Sequence, residues 1–600
     1  MKKENRDKKL EIKGKLTEEF KIDEEVADKL VEDYGINVIS EILDKPYILS
    51  HYLIPLQIVK KIIQKNSANK NENYKNRNVV AATMIHVIEA MTGFEGHIFS
   101  YKSEIEYKFK ELDEVVDKEK LEETLIFLET DSEIVRERDK EGRECIYLSR
   151  LYKAEVELAN VIGCLSKRNK CSNDEIENTK KVEEFICCYN NSSFKLNNSQ
   201  INAVVTALNN RISIISGLAG TGKTTVIKTI VEGFKYVLSL RNLKINLVSY
   251  TGKSVDVLTK KTGIQGTTIH RFLGVGLYYK QEIRNIEADV IIIDESGLIG
   301  IELMNLLMCS IKENPNIRIV IVGDPFQLQS IEPGCVLKEL LKSGGIPVAE
   351  LSEVVRQKDD SLITNNAHKI IKSIAINGKK SGIWLKKNEF EFVEAESEQI
   401  NRKVINKIDR LLSSGTSIYD IQVMSPVKKG INGVEELNRE IADRFNNISD
   451  RDIYRFGILD PVIAVNNNYS KDIFNGQRGV VKRVEKSLNR IELITVNFGV
   501  KEISFKENEI QDIQISYVST IHKMQGSESK VAIIVIDKEH GRMLFRELIY
   551  VSITRGIERV ILIGDKEAFN EGIKRVSRER NSLLAERIEV RVNGENSKTA

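Results

Sequence analysis

The sequence has few cysteines, no long apolar run and almost no excess charge. Its seven cysteines are an odd number and include no CxxC pair, which argues against a disulfide framework, a zinc site and an iron–sulfur cluster. No run of about 18 apolar residues is present, so we expect no transmembrane helix. The first residues, MKKENRDKKLEIKGK, lack the apolar stretch of a signal peptide. We therefore expect a cytoplasmic protein with reduced thiols and no membrane partner.

The small net charge limits how the chain can bind nucleic acid. The formal net charge of the 600 residues is +2, so a general basic coat is absent and any such affinity must come from a local groove. Hydrophobic residues make up 41% and charged residues 30%, which is typical of a soluble, core-forming chain. The length allows about three or four domains.

Glycine is scarce in the first third of the chain, and the spacing of the apolar residues changes after it. Up to about residue 195 the apolar residues recur at helical spacing, as in VVAATMIHVIEAM, and the polar segment near 172–195 is typical of a linker. From Ile212 onward, short apolar runs alternate with helical stretches. Such runs are typical of strands buried on both faces of a parallel sheet. The runs are ISIISG, INLVSY, VIIIDES, IRIVIVGD, IQVMSP, VAIIVID and VILIGD.

These runs form two groups, at about 212–355 and 421–565, which predicts two α/β lobes. Between Phe456 and Ile515 lies a glycine- and β-rich interlude with a smaller, barrel-like texture. Ligands of parallel sheets bind beyond the carboxyl ends of the strands. We therefore expect the chemistry where the apolar runs stop.

The first run is followed by a phosphate-binding pattern. GLAGTGKT, from Gly217 to Thr224, fits GxxxxGK[ST] between a strand and a helix. Its glycines allow backbone N–H groups to face phosphates, Lys223 would supply charge to the β/γ oxygens, and Thr224 would offer a hydroxyl to magnesium. The alternative is a glycine-rich turn without nucleotide. The predicted nucleotide-binding residues of this loop are Gly217, Leu218, Ala219, Gly220, Thr221, Gly222, Lys223, Thr224 and Thr225.

The run VIIIDES ends in two adjacent carboxylates, Asp294 and Glu295. A pair of acids after buried β-branched residues costs several kcal/mol unless a cation faces it. A magnesium ion held by Asp294 and a water polarised by Glu295 would satisfy this requirement. The alternative is two surface acids at a strand end.

The remaining strand ends carry a specific set of motifs. In chain order they are LNNSQ, the phosphate loop, TGKSVDVLTKKTG with TTIHRFLG, VIIIDES, GDPFQLQSIEPG, LSEVVRQ, YVSTIHKMQGSE and YVSITRGIERV. Over about residues 196–567 the sequence resembles the RecD-type, 5′-to-3′ branch of helicase superfamily 1. The resemblance implies two RecA-like lobes and an ATP-dependent DNA helicase of DNA repair or recombination, with ATP and Mg²⁺ as cofactors. It also implies single-stranded DNA and junctions between single and double strands as partners. We expect a monomer.

The resemblance also assigns roles to single residues. Gln200 would contact adenine, Gln327 would sense the γ-phosphate, and Glu528 would hold the ribose. Arg356 and Arg555 would act as arginine fingers across the cleft, which can contribute about 10³–10⁵ in rate. The expected catalytic set is therefore Lys223, Asp294, Glu295, Gln327, Arg356 and Arg555, with Thr224 and Asp294 on the metal. Thr251, His270, Thr520 and His522 would lie along the DNA strand. As single residues, the arginines could instead be ion-pair partners and the histidines packing residues.

Three further segments resemble parts of the same branch. NNNYSKDIFNGQRGVV resembles the start of its SH3-like insert. Residues 271–288 fall where its duplex-splitting pin lies, and there Tyr278 and Tyr279 either stack on a base or pack in a core. YGINVISEILDKPYIL, VIEAMTGFEGHIFSYKSEI and YLSRLYKAEVELANVIG resemble the N-terminal region of the longer RecD-type helicases, which act without RecB and RecC.

One element of that N-terminal region departs from the family. Its helix-hairpin-helix usually has a glycine turn, which allows a phosphate to approach the backbone, whereas LSHYLIPLQIVKKI has none. We therefore expect this hairpin, with Lys60 and Lys61, to pack structurally without gripping DNA.

The predicted fold class is α/β, with two RecA-like parallel-sheet lobes and a small SH3-like β insert after a mainly helical N-terminal region.

Alternative functions are a single-strand translocase with little unwinding, the helicase half of a relaxase, and a scaffold with an inactive phosphate loop. The seven histidines include no close pair, which argues against the relaxase. The expected domains are 1–195, helix-hairpin-helix-like and winged-helix-like; 196–357, the first lobe; 358–457 and 516–567, the second lobe; 458–515, the insert; and 568–600, a tail.

Overall fold

A computed structural model describes most of the chain. The described residues are 2–66, 72–112, 118–168, 175–190, 195–240, 242–275, 286–311, 314, 316–353, 361–372, 388–446, 456–466, 468, 471, 473, 476–487, 490–499 and 501–594. Arg356, Tyr278 and Tyr279 lie outside them. Within this part of the chain, every helix is too short or too polar to span a bilayer.

The N-terminal region is mainly helical, as predicted, and contains a small antiparallel sheet of strand order β1-β3-β2. Its elements are α1 (Lys2–Glu18), α2 (Glu24–Tyr34), α3 (Val38–Asp44), α4 (Leu56–Asn66), α5 (Glu72–Ala90), β1 (Phe99–Tyr101), α6 (Lys102–Glu111), α7 (Lys118–Thr130), β2 (Ile134–Arg138), β3 (Glu144–Leu148), α8 (Ser149–Arg168) and α9 (Glu175–Asn190).

The linker expected near residues 172–195 is wrong for 175–190, where the structure has helix α9. Val182 and Phe185 of this polar helix are buried in the hydrophobic core of the first lobe. The Phe185 ring lies 5.7 Å from the ring of Tyr236. Ile186 and Tyr189 pack against the same core, so one apolar face anchors an otherwise polar helix.

The hairpin that lacks glycine still makes a left-handed turn. A short 3₁₀ helix, Pro46–Tyr52, precedes α4, and Leu53 between them has φ 53° and ψ 29°. A residue with a side chain pays about 1–2 kcal/mol for this conformation. The turn therefore keeps its shape without glycine, and the Leu53 side chain takes the space that a glycine would leave open. DNA binding by this hairpin stays untested.

The first lobe is a six-stranded parallel sheet of strand order β6-β5-β7-β8-β4-β9. Helices cover both faces, and successive residues of β4, Ile214 and Ile215, belong to different hydrophobic cores. Its elements are α10 (Asn198–Asn209), β4 (Ile212–Gly217), α11 (Lys223–Leu238), β5 (Ile245–Ser249), α12 (Gly252–Thr262), β6 (Thr267–Thr268), α13 (Ile269–Leu273), β7 (Val290–Asp294), α14 (Ile301–Ile311), β8 (Arg318–Gly323), α15 (Val336–Lys342) and β9 (Val348–Leu351).

The second lobe is interrupted by an antiparallel insert. The lobe begins with α16 (Leu362–Lys372), β10 (Phe390–Glu394), α17 (Ser397–Ser413), β11 (Ile421–Ser425) and α18 (Val434–Asn446). The insert contains β12 (Pro461–Ala464), β13 (Arg478–Ser487), β14 (Arg490–Asn497), β15 (Glu502–Lys506) and β16 (Ile513–Ile515), in strand order β15-β14-β13-β12-β16. It has a hydrophobic core of its own. At its junction with the lobe, the Tyr517 hydroxyl donates to the buried Asp460 carboxylate at 2.7 Å.

The chain then returns to the second lobe and completes its parallel sheet, of strand order β10-β19-β18-β11-β17. The returning elements are β17 (Val518–Thr520), β18 (Ser529–Ile536), α19 (Arg546–Ile553), β19 (Gly556–Gly564) and α20 (Lys566–Lys574). The two predicted parallel-sheet lobes and the β insert are therefore confirmed. The exact domain boundaries stay predictions.

The segment expected to be a C-terminal tail is instead packed. Helix α21 (Leu584–Asn593) buries Leu584 and Ile588 and packs against α8 and α15. Residues 575–583, here called the C-terminal strap, run between α20 and α21. The strap contacts the N-terminal region, where the Asn581 N–H donates to Nδ1 of His97 at 2.9 Å. It also contacts the second lobe, where the Ser577 hydroxyl donates to Glu547 at 2.9 Å.

Arg580 joins the strap to the loop between β8 and α15, residues 324–335. Its guanidinium donates to the carbonyl oxygens of Ser330, Glu332 and Gly334 at 2.7–3.0 Å and to the Ser330 hydroxyl at 3.0 Å. A Cβ at Gly96 would lie 2.2 Å from the Arg580 guanidinium carbon. Glycine at position 96 therefore allows the arginine to pass between the N-terminal region and the first lobe.

Arg580→Ala should destabilise the β8–α15 loop by about 1–3 kcal/mol, because the carbonyl oxygens of Ser330, Glu332 and Gly334 lose the guanidinium donor. The Ser330 hydroxyl still donates to Glu332 and Gly334. Hydrogen exchange of residues 324–335 and thermal unfolding measure this. Arg578→Ala is the matched control, since its side chain is 67% exposed and pairs with Glu95 at the surface. We expect less than about 1 kcal/mol there. Equal effects of both substitutions would contradict the role of Arg580.

His51 of the N-terminal hairpin belongs to a network of partly buried ion pairs that reaches the first lobe through Arg150. Its Nδ1 lies 2.8 Å from Glu89, and its Nε2 lies 3.1 Å from Glu133. Arg150 extends the network to Glu89 at 2.8 Å and to Glu302 of the first lobe at 2.6 Å. Burial opposes a charge on His51, but the carboxylates of Glu133 and Glu89 outweigh it and raise its pKa to about 9.

This raised pKa predicts a pH-dependent stability. The pKa of His51 is higher in the folded than in the unfolded chain, so its ion pairs stabilise the fold fully below about pH 6.5 and are lost as the pH rises through 9. The loss amounts to at most about 3 kcal/mol. Thermal unfolding of the wild type and His51→Gln between pH 6 and 10 tests this. The difference between the two should shrink with rising pH, and a constant difference would contradict the prediction.

Candidate nucleotide site and interlobe cleft

The predicted phosphate loop connects β4 to α11, as its pattern requires. Gly220 and Gly222 have φ of 82° and 86°, a conformation that favours glycine. A Cβ at Gly217 would lie 2.7 Å from the Thr221 hydroxyl oxygen and 3.0 Å from Cβ of Leu351. The loop is therefore tightly closed on itself at its first glycine. Thr224 and Thr225 lie in the first turn of α11, where free N–H groups favour an anion.

Lys223, the first residue of α11, points back into the loop. Its Nζ donates to the carbonyl oxygens of Gly217 at 2.7 Å and Leu218 at 3.1 Å. The ammonium group is thus held by neutral carbonyls. A phosphate would replace these partners with charged oxygens, and charge-assisted bonds are about twice as strong.

Asp294 and Glu295 lie at the carboxyl end of β7, on the same edge of the sheet as the phosphate loop. Burial raises the pKa of Asp294 to about 7, the Glu295 carboxylate adds to this rise, and Lys223 opposes it. Glu295 has φ 52° and ψ 39°, a left-handed conformation that costs an ordinary residue energy and occurs often at functional sites. The carboxylate pair needs more positive charge than Lys223 provides.

These residues fit a magnesium ion that shares its ligands with a nucleotide. Among the described residues no group of three histidine, cysteine or acidic side chains could hold a metal by itself. Magnesium usually takes one or two carboxylates and completes its shell with phosphate oxygens and water. Asp294 and the Thr224 hydroxyl would provide the protein's share of the ligands.

Gln327 lies in the β8–α15 loop, three residues after Asp324, which the Tyr550 hydroxyl links to the phosphate loop. Gln327 is 7% exposed, and its backbone N–H donates to the carbonyl oxygen of Asp324 at 3.2 Å. The Asp324 carboxylate also accepts from the N–H of Phe326 at 3.0 Å. The position is compatible with a γ-phosphate sensor, which stays a prediction.

Two side chains of the second lobe contact the phosphate loop directly. The Tyr550 hydroxyl, from α19, accepts a hydrogen bond from the N–H of Ala219 at 2.8 Å and donates to the Asp324 carboxylate at 2.6 Å. Nε2 of His368, from α16, lies 3.2 Å from the carbonyl oxygen of Ala219. The sequence analysis assigns neither residue a role. Tyr550 stands in the quoted motif YVSITRG, whereas no pattern marks His368.

Arg555 follows α19 and faces its own lobe. Its guanidinium donates to the carbonyl oxygens of Val551 and Ser527 and to the Thr554 hydroxyl, each at 3.1 Å. Its side chain is buried. The structure therefore places Arg555 on the cleft side of the second lobe but not on the phosphate loop. The role of an arginine finger stays a prediction, as does that of Arg356.

Gln200 is close to the phosphate loop, but its amide is already used. It forms a capping box with Asn197 at the start of α10 and donates from Nε2 to the carbonyl oxygen of Thr221 at 3.3 Å. Contact with adenine stays a prediction. Glu528 is exposed on the second lobe.

Glu528 lies close to Lys253, which is influenced by two further cations. Burial and the positive charges of Arg478 and Arg555 together lower the pKa of Lys253 to about 8, while the Glu528 carboxylate opposes this shift. Lys253 belongs to the first lobe, Arg478 to the insert and Arg555 to the second lobe. Three domains therefore contribute cations to one cleft. The small net charge of the whole chain does not reveal this local cluster.

The residues expected along a DNA strand fall into two places. Thr251 caps α12 by accepting from the N–H of Ser254 at 3.2 Å, and a Cβ at Gly526 would lie 3.2 Å from its hydroxyl oxygen. Thr251 thus lies next to the second-lobe loop that follows Thr520 and His522. His270 packs edge-on against the ring of Tyr250 at 5.6 Å. Burial lowers the pKa of both His270 and His522. Their contact with DNA stays a prediction.

Comparison with known proteins places both lobes in known families. Residues 195–376 match the AAA domain family, and residues 516–563 match the UvrD-like helicase C-terminal domain. The ATP-dependent RecD2 DNA helicase of Deinococcus radiodurans is 28% identical over 75% of this chain, and the match spans 59% of that protein. The RecBCD enzyme subunit RecD of Mycolicibacterium smegmatis is 25% identical over 62% of this chain and 72% of its own length.

Among solved structures, Bacteroides Pif1 bound to single-stranded DNA matches 64% of this chain and 95% of its own with 16% identity and a TM-score of 0.41. With its ordered motifs and its two parallel-sheet lobes, the chain is similar in sequence to the RecD-like helicases of superfamily 1, including the longer RecD2 form.

Proposed function

We propose that the protein is an ATP-dependent DNA helicase that moves 5′-to-3′ on single-stranded DNA and unwinds the duplex ahead of it. The observation that carries this proposal is the convergence of both lobes on one phosphate loop. The loop, the acid pair Asp294–Glu295 and Lys223 belong to the first lobe, and Tyr550 and His368 of the second lobe bond to Ala219 of the loop. A cleft shared in this way can couple hydrolysis to lobe movement.

The chain's own residues supply most of the chemistry of hydrolysis. Lys223 and the N–H groups at the start of α11 bind the β- and γ-phosphates, and Glu295 polarises the attacking water. Bound Mg²⁺, held by Asp294 and Thr224, would neutralise charge on the phosphate oxygens. Arg555, and with it Arg356, would stabilise the charge that develops in the transition state.

DNA binding is proposed to use the cleft rather than the surface as a whole. Lys253, Arg478 and Arg555 concentrate positive charge where the two lobes and the insert meet. Thr251, His270, Thr520 and His522 would line the strand. The 5′-to-3′ direction follows from the resemblance to the RecD-type branch. The protein would act as a monomer on single strands and junctions, without RecB and RecC.

A tailed-duplex assay tests the function. ATP hydrolysis should rise with single-stranded DNA, and strand displacement should need a 5′ tail. Lys223→Ala should abolish hydrolysis while DNA binding remains, because this lysine serves the nucleotide alone. Glu295→Gln should bind nucleotide but hydrolyse it at least about a hundredfold more slowly. Displacement from a 3′ tail only would contradict the direction, and DNA-stimulated hydrolysis without displacement would favour the translocase.

Arg555→Ala should lose about a thousandfold of the DNA-stimulated turnover, with a much smaller change in nucleotide affinity, because its charge is needed only in the transition state. Turnover on saturating DNA and binding of a fluorescent nucleotide separate the two effects. Arg444→Ala, an exposed arginine on the same lobe, is the control. Equal turnover of Arg555→Ala and wild type would rule out the finger.

A further inference from the structure

Ala219 of the phosphate loop is bonded on both of its backbone groups by the second lobe. Its N–H donates to the Tyr550 hydroxyl at 2.8 Å, and its carbonyl oxygen lies 3.2 Å from Nε2 of His368. The Tyr550 hydroxyl in turn donates a hydrogen bond to the Asp324 carboxylate at 2.6 Å. Three hydrogen bonds thus connect α16 and α19 to two loops at the carboxyl end of the first sheet.

The burial of these groups makes the contacts specific. Tyr550 has no exposed surface, and its hydroxyl is used once as acceptor and once as donor. Burial also raises its pKa well above the usual value, so that the hydroxyl keeps its proton. Burial lowers the pKa of His368, which is 8% exposed. A carbonyl oxygen can only accept a hydrogen bond. A neutral His368 that bonds to the Ala219 carbonyl oxygen must therefore carry its ring proton on Nε2.

A bound nucleotide needs the same part of the loop. Phosphate-binding loops turn their backbone N–H groups towards the phosphate oxygens. The N–H of Ala219 has one proton, and here it points to Tyr550. The Lys223 ammonium likewise donates to the carbonyl oxygens of Gly217 and Leu218. In this structure the Ala219 N–H and the Lys223 ammonium group already have hydrogen-bond partners. A nucleotide that binds to these two groups has to replace those partners.

We propose that Tyr550 and His368 form an interlobe latch on Ala219 that holds the phosphate loop in its nucleotide-free shape. This inference rests on the proposed function, since it assumes that the loop binds ATP. Nucleotide binding competes with the latch, so part of the binding free energy moves the second lobe. Tyr550 and His368 act as positioning residues of the phosphate loop.

The latch also explains the position of Arg555. Tyr550 and Arg555 belong to one continuous segment, α19 and the turn after it. While Tyr550 holds Ala219, Arg555 remains bonded to Val551, Ser527 and Thr554 of its own lobe. Release of Tyr550 lets this segment move, so that Arg555 can turn towards a phosphate. In this proposal, Arg555 therefore reaches a phosphate only after Tyr550 has released Ala219.

The experiment compares nucleotide affinity with turnover in hydroxyl-deletion variants of the full-length protein. Tyr550→Phe keeps the ring and removes both hydrogen bonds. Fluorescent ADP should bind about three- to tenfold more tightly to Tyr550→Phe without DNA, because the competitor is lost. The same variant should displace fewer base pairs per ATP hydrolysed on a tailed duplex. Tyr419→Phe, which loses a surface hydroxyl of the second lobe, should bind ADP as the wild type does.

His368 provides the second pair of variants. His368→Leu removes the donor and should also tighten ADP binding, whereas His368→Gln can still donate to Ala219 and should restore wild-type affinity. A merely structural role would lower the unfolding temperature without tightening nucleotide binding. Unchanged or weaker ADP binding by folded Tyr550→Phe and His368→Leu would overturn the latch. Absence of ADP binding by the wild type would instead overturn the proposed function.

Discussion

The hydrogen bond between the N–H of Ala219 and the Tyr550 hydroxyl joins the two sheets of this protein at the point where both would handle a nucleotide. A parallel sheet presents its polar loops at one end only. Two such sheets can therefore share a ligand only if those ends face each other. Tyr550, buried and bonded to both Ala219 and Asp324, fixes this arrangement with short contacts. The shape of the phosphate loop and the position of Arg555 both depend on it.

The region around the β8–α15 loop extends this dependence to the rest of the chain. The loop carries Asp324 and Gln327 at its start, beside the phosphate loop, and receives Arg580 at Ser330 to Gly334. The Arg580 guanidinium also lies directly against Gly96 of the N-terminal region. Through these contacts the strap ties the candidate γ-phosphate sensor to the N-terminal region. A change in the loop on nucleotide binding would reach that region without crossing the DNA cleft.

The charged residues of this protein form local clusters, although the net charge of the whole chain is small. Asp294 and Glu295 form an acidic pair beside a single lysine. Burial and the Glu295 carboxylate raise the pKa of Asp294 although Lys223 opposes this, which favours a divalent cation at the pair. Lys253, Arg478 and Arg555 bring three cations from three domains into one cleft. A chain with a net charge of +2 can thus present both a site for a magnesium nucleotide and a local surface for a polyanion.

The sequence by itself determined the lobes and the local geometry of the phosphate loop. Short runs of β-branched residues that alternate with helical stretches are typical of a parallel sheet, and GLAGTGKT between such a run and a helix is typical of a phosphate loop. Local pattern therefore sufficed for β4, β7, β8 and α11. It failed for α9, where one apolar face anchors an otherwise polar helix, and for the left-handed turn at Leu53, which has no glycine to mark it.

Only the tertiary structure decided which distant residues meet. Ala219, His368 and Tyr550 are separated by well over a hundred residues, and hydrogen bonds between them leave no periodic signal in the sequence. The same holds for Arg580 on the carbonyl groups of 330–334, and for α21, where a tail was expected. These contacts depend on how whole elements pack. A linear pattern records the preferences of neighbouring residues, whereas the relative position of two lobes is set by the few side chains that cross between them.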